Sequence, residues 1–67
     1  MSPQEAIQAF NLGCPVIFRR ARDEIEYEAI TALIQRKNNG KTELFVELKD
    51  YCKNSVTVAP ISYVYNK

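Results

Sequence analysis

This chain contains no histidine and only two cysteines, Cys14 and Cys52. Without histidine it lacks the side chain best suited to proton transfer near neutral pH, and a cysteine nucleophile would have no customary base. Two cysteines are too few for a secreted disulfide framework, and no apolar segment ahead of a cleavage site opens the chain, so a cytoplasmic protein is expected. A Cys14–Cys52 bridge is compatible with the sequence, but buried, reduced thiols are the expected state. No apolar run approaches the ~20 residues that span a bilayer. Net charge is only +1, from nine basic and eight acidic residues, which leaves little long-range field of the kind that recruits nucleic acid non-specifically. Internal repeats, linkers and low-complexity segments are absent, as are phosphate-binding loops and metal-ligand spacings, so neither cofactor nor metal is expected. The carboxylates of Glu24, Glu26 and Glu28 recur at a spacing of two, which on a strand makes a solvated edge facing nearby arginines rather than an acid/base pair. An enzyme is the least expected class.

What is present is the composition of a single folded domain: 67 residues, 46% hydrophobic and 25% charged. A chain this short buries only about 60% of the surface its unfolded form exposes, so its stability is marginal. Ser2-Pro3-Gln4-Glu5 is a helix opening, with Ser2 as N-cap, Pro3 at the first helical position and Glu5 closing a capping box. Ala6, Ile7 and Phe10 follow at helical spacing, and Gly13 is the stop. A helix this short is unstable alone and must dock, either on the sheet face carrying Leu33 and Phe45 or over an open end of a barrel. The helical segment covers residues 1–13 and a β-rich segment residues 15–67.

Strand signals then follow closely. Val16 to Arg20 reads as a strand, Ala21 to Glu24 as a charged loop, Ile25 to Arg36 as a long strand and Thr42 to Lys49 as its partner. Asp50 to Asn54 reads as a reversal and Ser55 to Ala59 as a further strand. Pro60 ends that strand, Ile61-Ser62 forms a tight turn, and Tyr63 to Tyr65 is a last short strand. Within the long strand the apolar phase changes, from odd-numbered Ile25, Tyr27 and Ala29 to even-numbered Ile30, Ala32 and Ile34, which predicts a bend or bulge near Ala29.

Asn38-Asn39-Gly40 connects the two longest strands. A two-residue Asn39-Gly40 turn sets Ile34 opposite Phe45 and leaves both faces mixed. A three-residue loop with Gly40 as a G1 bulge sets Ile34 opposite Leu44, Ala32 opposite Val46 and Ile30 opposite Leu48, and makes one face apolar. Face consistency favours the three-residue loop. The interior is then expected to hold Ile30, Ala32, Ile34, Leu44, Val46, Leu48, Val56 and Val58.

The element order resembles that of SH3-like barrels, and Val58-Ala59-Pro60-Ile61-Ser62-Tyr63-Val64 resembles their closing segment, where a proline is followed three residues later by tyrosine and then valine. The expected fold is therefore mainly β: a short N-terminal helix plus a small, strongly bent antiparallel SH3-like barrel of about five strands. What this resemblance implies is a protein-binding groove using Pro60 and Tyr63, with Phe18 in the place of an upstream aromatic; the chain has no tryptophan, and Arg20 stands where a second aromatic is wanted. The whole chain is also similar to short uncharacterised proteins of Gram-positive phages and mobile elements.

Two functional readings follow. The leading one is a protein-interaction module, possible also as a self-associating one, with partner-binding residues Phe18, Pro60, Tyr63 and Tyr65, tyrosine being favoured at such surfaces. The alternative is a nucleic-acid-binding barrel whose rim is formed by Arg19, Arg20, Arg22, Arg36, Lys37 and Lys41, with Tyr51 or Tyr65 as a stacking surface.

Overall fold

A computed structural model describes residues 1–52 and 55–67. Helix α1 spans Pro3–Leu12, and the strands are β1 (Val16–Arg20), β2 (Asp23–Tyr27), β3 (Ala29–Asn38), β4 (Lys41–Lys49), β5 (Val56–Pro60) and β6 (Val64–Asn66). A single 3₁₀ turn, Ile61–Tyr63, separates β5 from β6. The protein is mainly β, with one short helix and two small antiparallel sheets, ordered β2-β1-β6 and β3-β4-β5. No described helix is long and apolar enough to cross a membrane.

The local signals at the N-terminus operate as the residue types dictate. The Ser2 hydroxyl accepts from the Glu5 amide at 3.2 Å while the Glu5 carboxylate accepts from the Ser2 amide at 2.9 Å. Gly13 caps the far end in the left-handed conformation at φ +69°, and its N–H donates to the Ala9 carbonyl. The helix packs along β3 with Ala6 and Ala9 buried, so small side chains make the closest approach. Its Pro3 and Ile7 lie beside Leu33, Gln35 and Leu44 of the hairpin, while Ile7, Phe10 and Leu12 stay exposed. The amino group of Met1 donates to the carbonyls of Ile61 and Val64, both at 2.8 Å, which ties the start of the helix to the 3₁₀ turn.

The hairpin register differs from the expectation. Ile34 stands opposite Phe45 and Leu33 opposite Val46, so the loop is the two-residue Asn39-Gly40 turn. Both turn residues have positive φ, +51° and +79°, the type I′ geometry whose twist matches that of the flanking strands. Farther from the turn, Ile30 nevertheless faces Leu48, as the three-residue loop required. One extra residue, Thr31, reconciles the two registers as a β-bulge between Ile30 and Ala32. Its hydroxyl donates to the Glu47 carboxylate at 2.8 Å.

Thr31 is the second of two phase changes in this stretch. The first is the bend at Glu28 between β2 and β3, close to the break expected at Ala29. Buried or core-packed side chains therefore recur at Tyr27, Ile30 and Leu33, three apart instead of two, each interval containing one residue that does not alternate. Ala32 and Ile34 consequently point away from the core and are only half-buried, as is Leu44.

The parity of β5 is likewise opposite to the expectation. Val46 and Leu48 are fully buried, and the residues directly across from them on β5, Ala59 and Thr57, share their face. Val56 and Val58 face outward opposite Lys49 and Glu47, and both are exposed. The core thus consists of Ala6, Ala9, Val16, Phe18, Tyr27, Ile30, Val46, Leu48, Ala59 and Val64, with Met1, Leu33 and Ile61 packed against it. The hydroxyl of buried Tyr27 reaches Thr57 at 3.5 Å, and among the described residues no buried side-chain polar atom lacks a partner.

Other boundaries shift by a residue or two. Asp23 and Glu24 are strand residues opposite Arg20 and Arg19, so the charged loop shrinks to Ala21-Arg22. Of the reversal expected over Asp50 to Asn54, Lys53 and Asn54 lie outside the described residues; the Asp50 amide donates to the Ser55 carbonyl at 3.1 Å across it. Cys14 and Cys52 are unpaired and exposed, not buried, because neither falls on an inward-facing strand position. Ala21 holds φ +48° in the tight β1–β2 turn, a conformation that a Cβ disfavours. Ala21→Gly should therefore raise the unfolding free energy by about 0.5–1 kcal/mol, measurable as a higher urea midpoint at unchanged slope; an unchanged or lower midpoint would show the turn to be unstrained.

Candidate functional site

Each strand of the β3-β4-β5 sheet presents alternate residues to its outer face, and the observed register aligns them in rows. One row runs Ile34–Phe45–Pro60. Beside it the chain leaves β5 into the 3₁₀ turn because Pro60 supplies no N–H to continue the ladder. The turn carries Tyr63 outward, 52% exposed. A shallow cleft of about 380 Å³ results, lined by Glu43, Leu44, Phe45, Pro60, Ile61, Ser62 and Tyr63. The Arg36 guanidinium lies over the Phe45 ring at 5.1 Å from its centroid, and Arg36 stands opposite Glu43 in the ladder. The cleft therefore combines an aromatic and proline floor with one charge of each sign at its edge.

Only two of the four expected partner-binding residues meet there. Pro60 and Tyr63 line the cleft. Phe18 is a core residue, 8% exposed, because β1 alternates Val16 and Phe18 inward. It packs against Tyr27 with ring centroids 6.5 Å apart and pairs with Val64. Tyr65 is exposed but belongs to the outer face of the other sheet, where it stands opposite Ile17. The residue that the sequence reading did not place in the site is Phe45. Phe45 faces outward in either hairpin register; its place beside Pro60 is set by the β4–β5 pairing, in which Val56 and Val58 face outward.

The arginines are distributed differently from a continuous rim. Arg19, Arg20 and Arg22 belong to the β1–β2 hairpin, while Arg36, Lys37 and Lys41 belong to the β3–β4 hairpin, at the other end of the run from Asp23 to Asn38. Arg20 stands opposite Asp23, and its guanidinium is 6.0 Å from the Phe18 ring centroid. Arg19 forms an ion pair with Glu24 at 3.1 Å and lies over the Tyr65 ring at 4.7 Å. The remaining carboxylates of that edge also have cations: Glu28 pairs with Lys49 at 3.2 Å, and Glu26 with Lys67 at 3.1 Å. Among the described residues, no group of three or more histidine, cysteine or acidic side chains could hold a metal ion.

Glu26 has a second partner. The Tyr51 hydroxyl donates to its carboxylate, linking the segment after β4 to the β2-β1-β6 sheet. That hydrogen bond, and then the one from Lys67, holds the Glu26 carboxyl below its usual range, and the same carboxylate pushes the Tyr51 phenol up to about 12. A depressed carboxyl contributes stability above its unfolded value of 4.5 and loses it as pH falls through the lower folded value. The raised phenol contributes below its unfolded value of 10.0 and loses it as pH rises toward about 12. The melting temperature of the wild type should consequently fall below about pH 4.5, and Tyr51→Phe should flatten part of that fall. Identical pH profiles for the two proteins would remove this contact from the account.

Comparison with protein-family models, with curated proteins and with solved structures finds no match for this chain.

Proposed function

We propose that this domain is a protein-interaction module of SH3-like order, an accessory protein of the cytoplasm, whose recognition surface is the cleft formed by Phe45, Pro60 and Tyr63. The observation that carries the reading is the row that sets Phe45 directly opposite Pro60, next to an exposed tyrosine on the 3₁₀ turn. Aromatic side chains give large contact area at low entropy cost, and a groove floored by them suits an extended, proline-containing peptide. Arg36 and Glu43 at the rim select charge and orientation. The strand order β2-β1-β6 and β3-β4-β5, with a lone 3₁₀ turn before the last strand, supports the barrel reading. The cationic side chains give less support to nucleic acid, since Arg19, Arg20 and Arg36 each stand opposite an acidic residue.

The test is selection of peptides against the folded domain from a random display library, followed by amide shift mapping with the selected ligand. Shifts should concentrate on Phe45, Ile61, Ser62 and Tyr63, and Phe45→Ala should weaken binding at least tenfold while preserving the folded spectrum. Ligands that map instead to the two basic hairpin tips, or that bind Phe45→Ala equally well, would contradict the proposal.

A further inference from the structure

Strand β5 leaves its sheet before β4 does. Their ladder ends at Phe45–Pro60, so Lys41 to Leu44 of β4 have β3 on one side and no strand on the other. In an antiparallel sheet, successive residues of a strand turn their N–H and C=O groups alternately to its two sides. Asn38 opposite Lys41 closes the two-residue turn as a hydrogen-bonded pair, so Lys41, Glu43 and Phe45 bond to β3, and Thr42 and Leu44 face the open side. Were β5 to continue, the Leu44 N–H would donate to the Ile61 carbonyl. That carbonyl is instead turned into the 3₁₀ segment, where it accepts from the Val64 N–H and, at 2.8 Å, from the Met1 amino group. The Leu44 N–H and both main-chain groups of Thr42 are thus left without a partner strand, beside the cleft that Leu44 and Ile61 help to line.

We infer, resting on the reading of the cleft as a peptide site, that its ligand is an extended acidic segment that adds to β4 as a short antiparallel strand, in the line that β5 vacates. The open groups call for a carbonyl, an N–H and a second carbonyl at strand spacing, which a peptide main chain supplies. Lys41, Thr42 and Glu43 are exposed, so nothing of this chain stands in the way. Charge sets the sign of the ligand. Arg36, Lys37 and Lys41 crowd the end of the hairpin against one carboxylate, Glu43, and among the described residues the cations in ion pairs are Arg19, Lys49 and Lys67 instead. An acidic side chain across from Lys41 makes the favourable cross-strand pair. Leu44 is half-buried and takes an apolar residue opposite it, three positions ahead of the acidic one. The residue facing Thr42 must keep its N–H, so proline is excluded there and belongs farther ahead, over Phe45 and Tyr63. The stretch from Lys41 to Leu44 spans only about 13 Å, which makes the added strand short and its affinity modest.

The probe is the peptide acetyl-Pro-Thr-Val-Thr-Val-Glu-Glu-amide, whose first valine faces Leu44 and first glutamate Lys41, titrated to about 2 mM into the labelled domain. In the free domain the amides of Thr42 and Leu44 should exchange with solvent at least about tenfold faster than that of Phe45, and the peptide should shift and protect both. Methylation of the second valine's nitrogen, which faces Thr42, should weaken binding at least about tenfold. Lysine in place of both glutamates should weaken it at least about fivefold, and Lys41→Glu, an exposed substitution that leaves the core intact, should reverse that preference. A peptide that shifts Phe45 and Tyr63 while Thr42 and Leu44 exchange as in the free domain would overturn the added strand and leave the cleft reading standing. Protection of Thr42 and Leu44 that survives Phe45→Ala would uphold the strand and count against the aromatic cleft alone. Absence of binding, tolerance of the methylated peptide, or protection of Thr42 and Leu44 in a free domain whose mass is twice 7.7 kDa, the mark of a second copy in the slot, would each overturn the inference.

Discussion

Leu48→Ala should destabilise the domain by about 3 kcal/mol, near the middle of the range for emptying a fully buried leucine site. Leu48 has no solvent exposure and sits between Ile30 and Thr57 in the ladder, where the inner faces of both neighbouring strands converge. At typical stabilities per residue, a chain of this length has only about 3–10 kcal/mol in total. Loss of about 3 kcal/mol therefore lowers the melting temperature by about 15 °C or more, and leaves a measurable unfolded fraction at 37 °C. Val58→Ala is the informative companion, because Val58 faces outward and is 42% exposed. It should cost less than about 1 kcal/mol. Urea titrations of the two variants distinguish the observed parity of β5 from the inverse one: equal losses would place Val58 in the core.

Gly40→Ala should cost about 1–2 kcal/mol although it touches nothing. A Cβ built on Gly40 meets no heavy atom within 4 Å, so the penalty is purely conformational. The backbone there has φ +79°, and the preceding Asn39 has φ +51°, a residue type that tolerates the left-handed region because of its short polar side chain. The exchange should accordingly lower the urea midpoint without changing its slope. Gly40→Asn should recover part of the loss. A neutral Gly40→Ala would mean that the turn relaxes to another geometry, and with it the register.

Much of the fold was legible because it is written locally. The Ser2–Glu5 capping box, Gly13 as the left-handed cap, the β1 strand and the stop at Pro60 each depend on residues within a few positions of one another. Register was not local in this sense. The hairpin counts one way from its turn and another way beyond Thr31, so any single register fitted to the whole strand must misplace one half. Scoring faces by apolarity then favoured the wrong half, because Ile34, Phe45 and Ala32 make the outer face nearly as apolar as the inner one. The more reliable signals were the Asn-Gly dipeptide and the spacing of Tyr27, Ile30 and Leu33. The site was misread through β5 instead: with Val56 and Val58 taken as inward, Pro60 would share their face, whereas the observed pairing sets Pro60 outward, opposite Phe45. Phe18 was misassigned for a simpler reason: on a strand, inward Val16 makes its second neighbour inward too.

The fold has Thr31 as an unpaired bulge, Ile34 across from Phe45 and Phe45 across from Pro60. In a hairpin with a two-residue turn, non-hydrogen-bonded pairs alternate with hydrogen-bonded ones, so Leu33–Val46 and Gln35–Leu44 should bring their α-protons into close contact. Nuclear Overhauser spectroscopy on the labelled domain reads these distances directly. Strong α–α cross-peaks for Leu33–Val46 and Gln35–Leu44, together with contacts from the Phe45 ring to Pro60, are the predicted result. Cross-peaks that instead pair Ile34 with Leu44, with no contact between Phe45 and Pro60, would contradict the account.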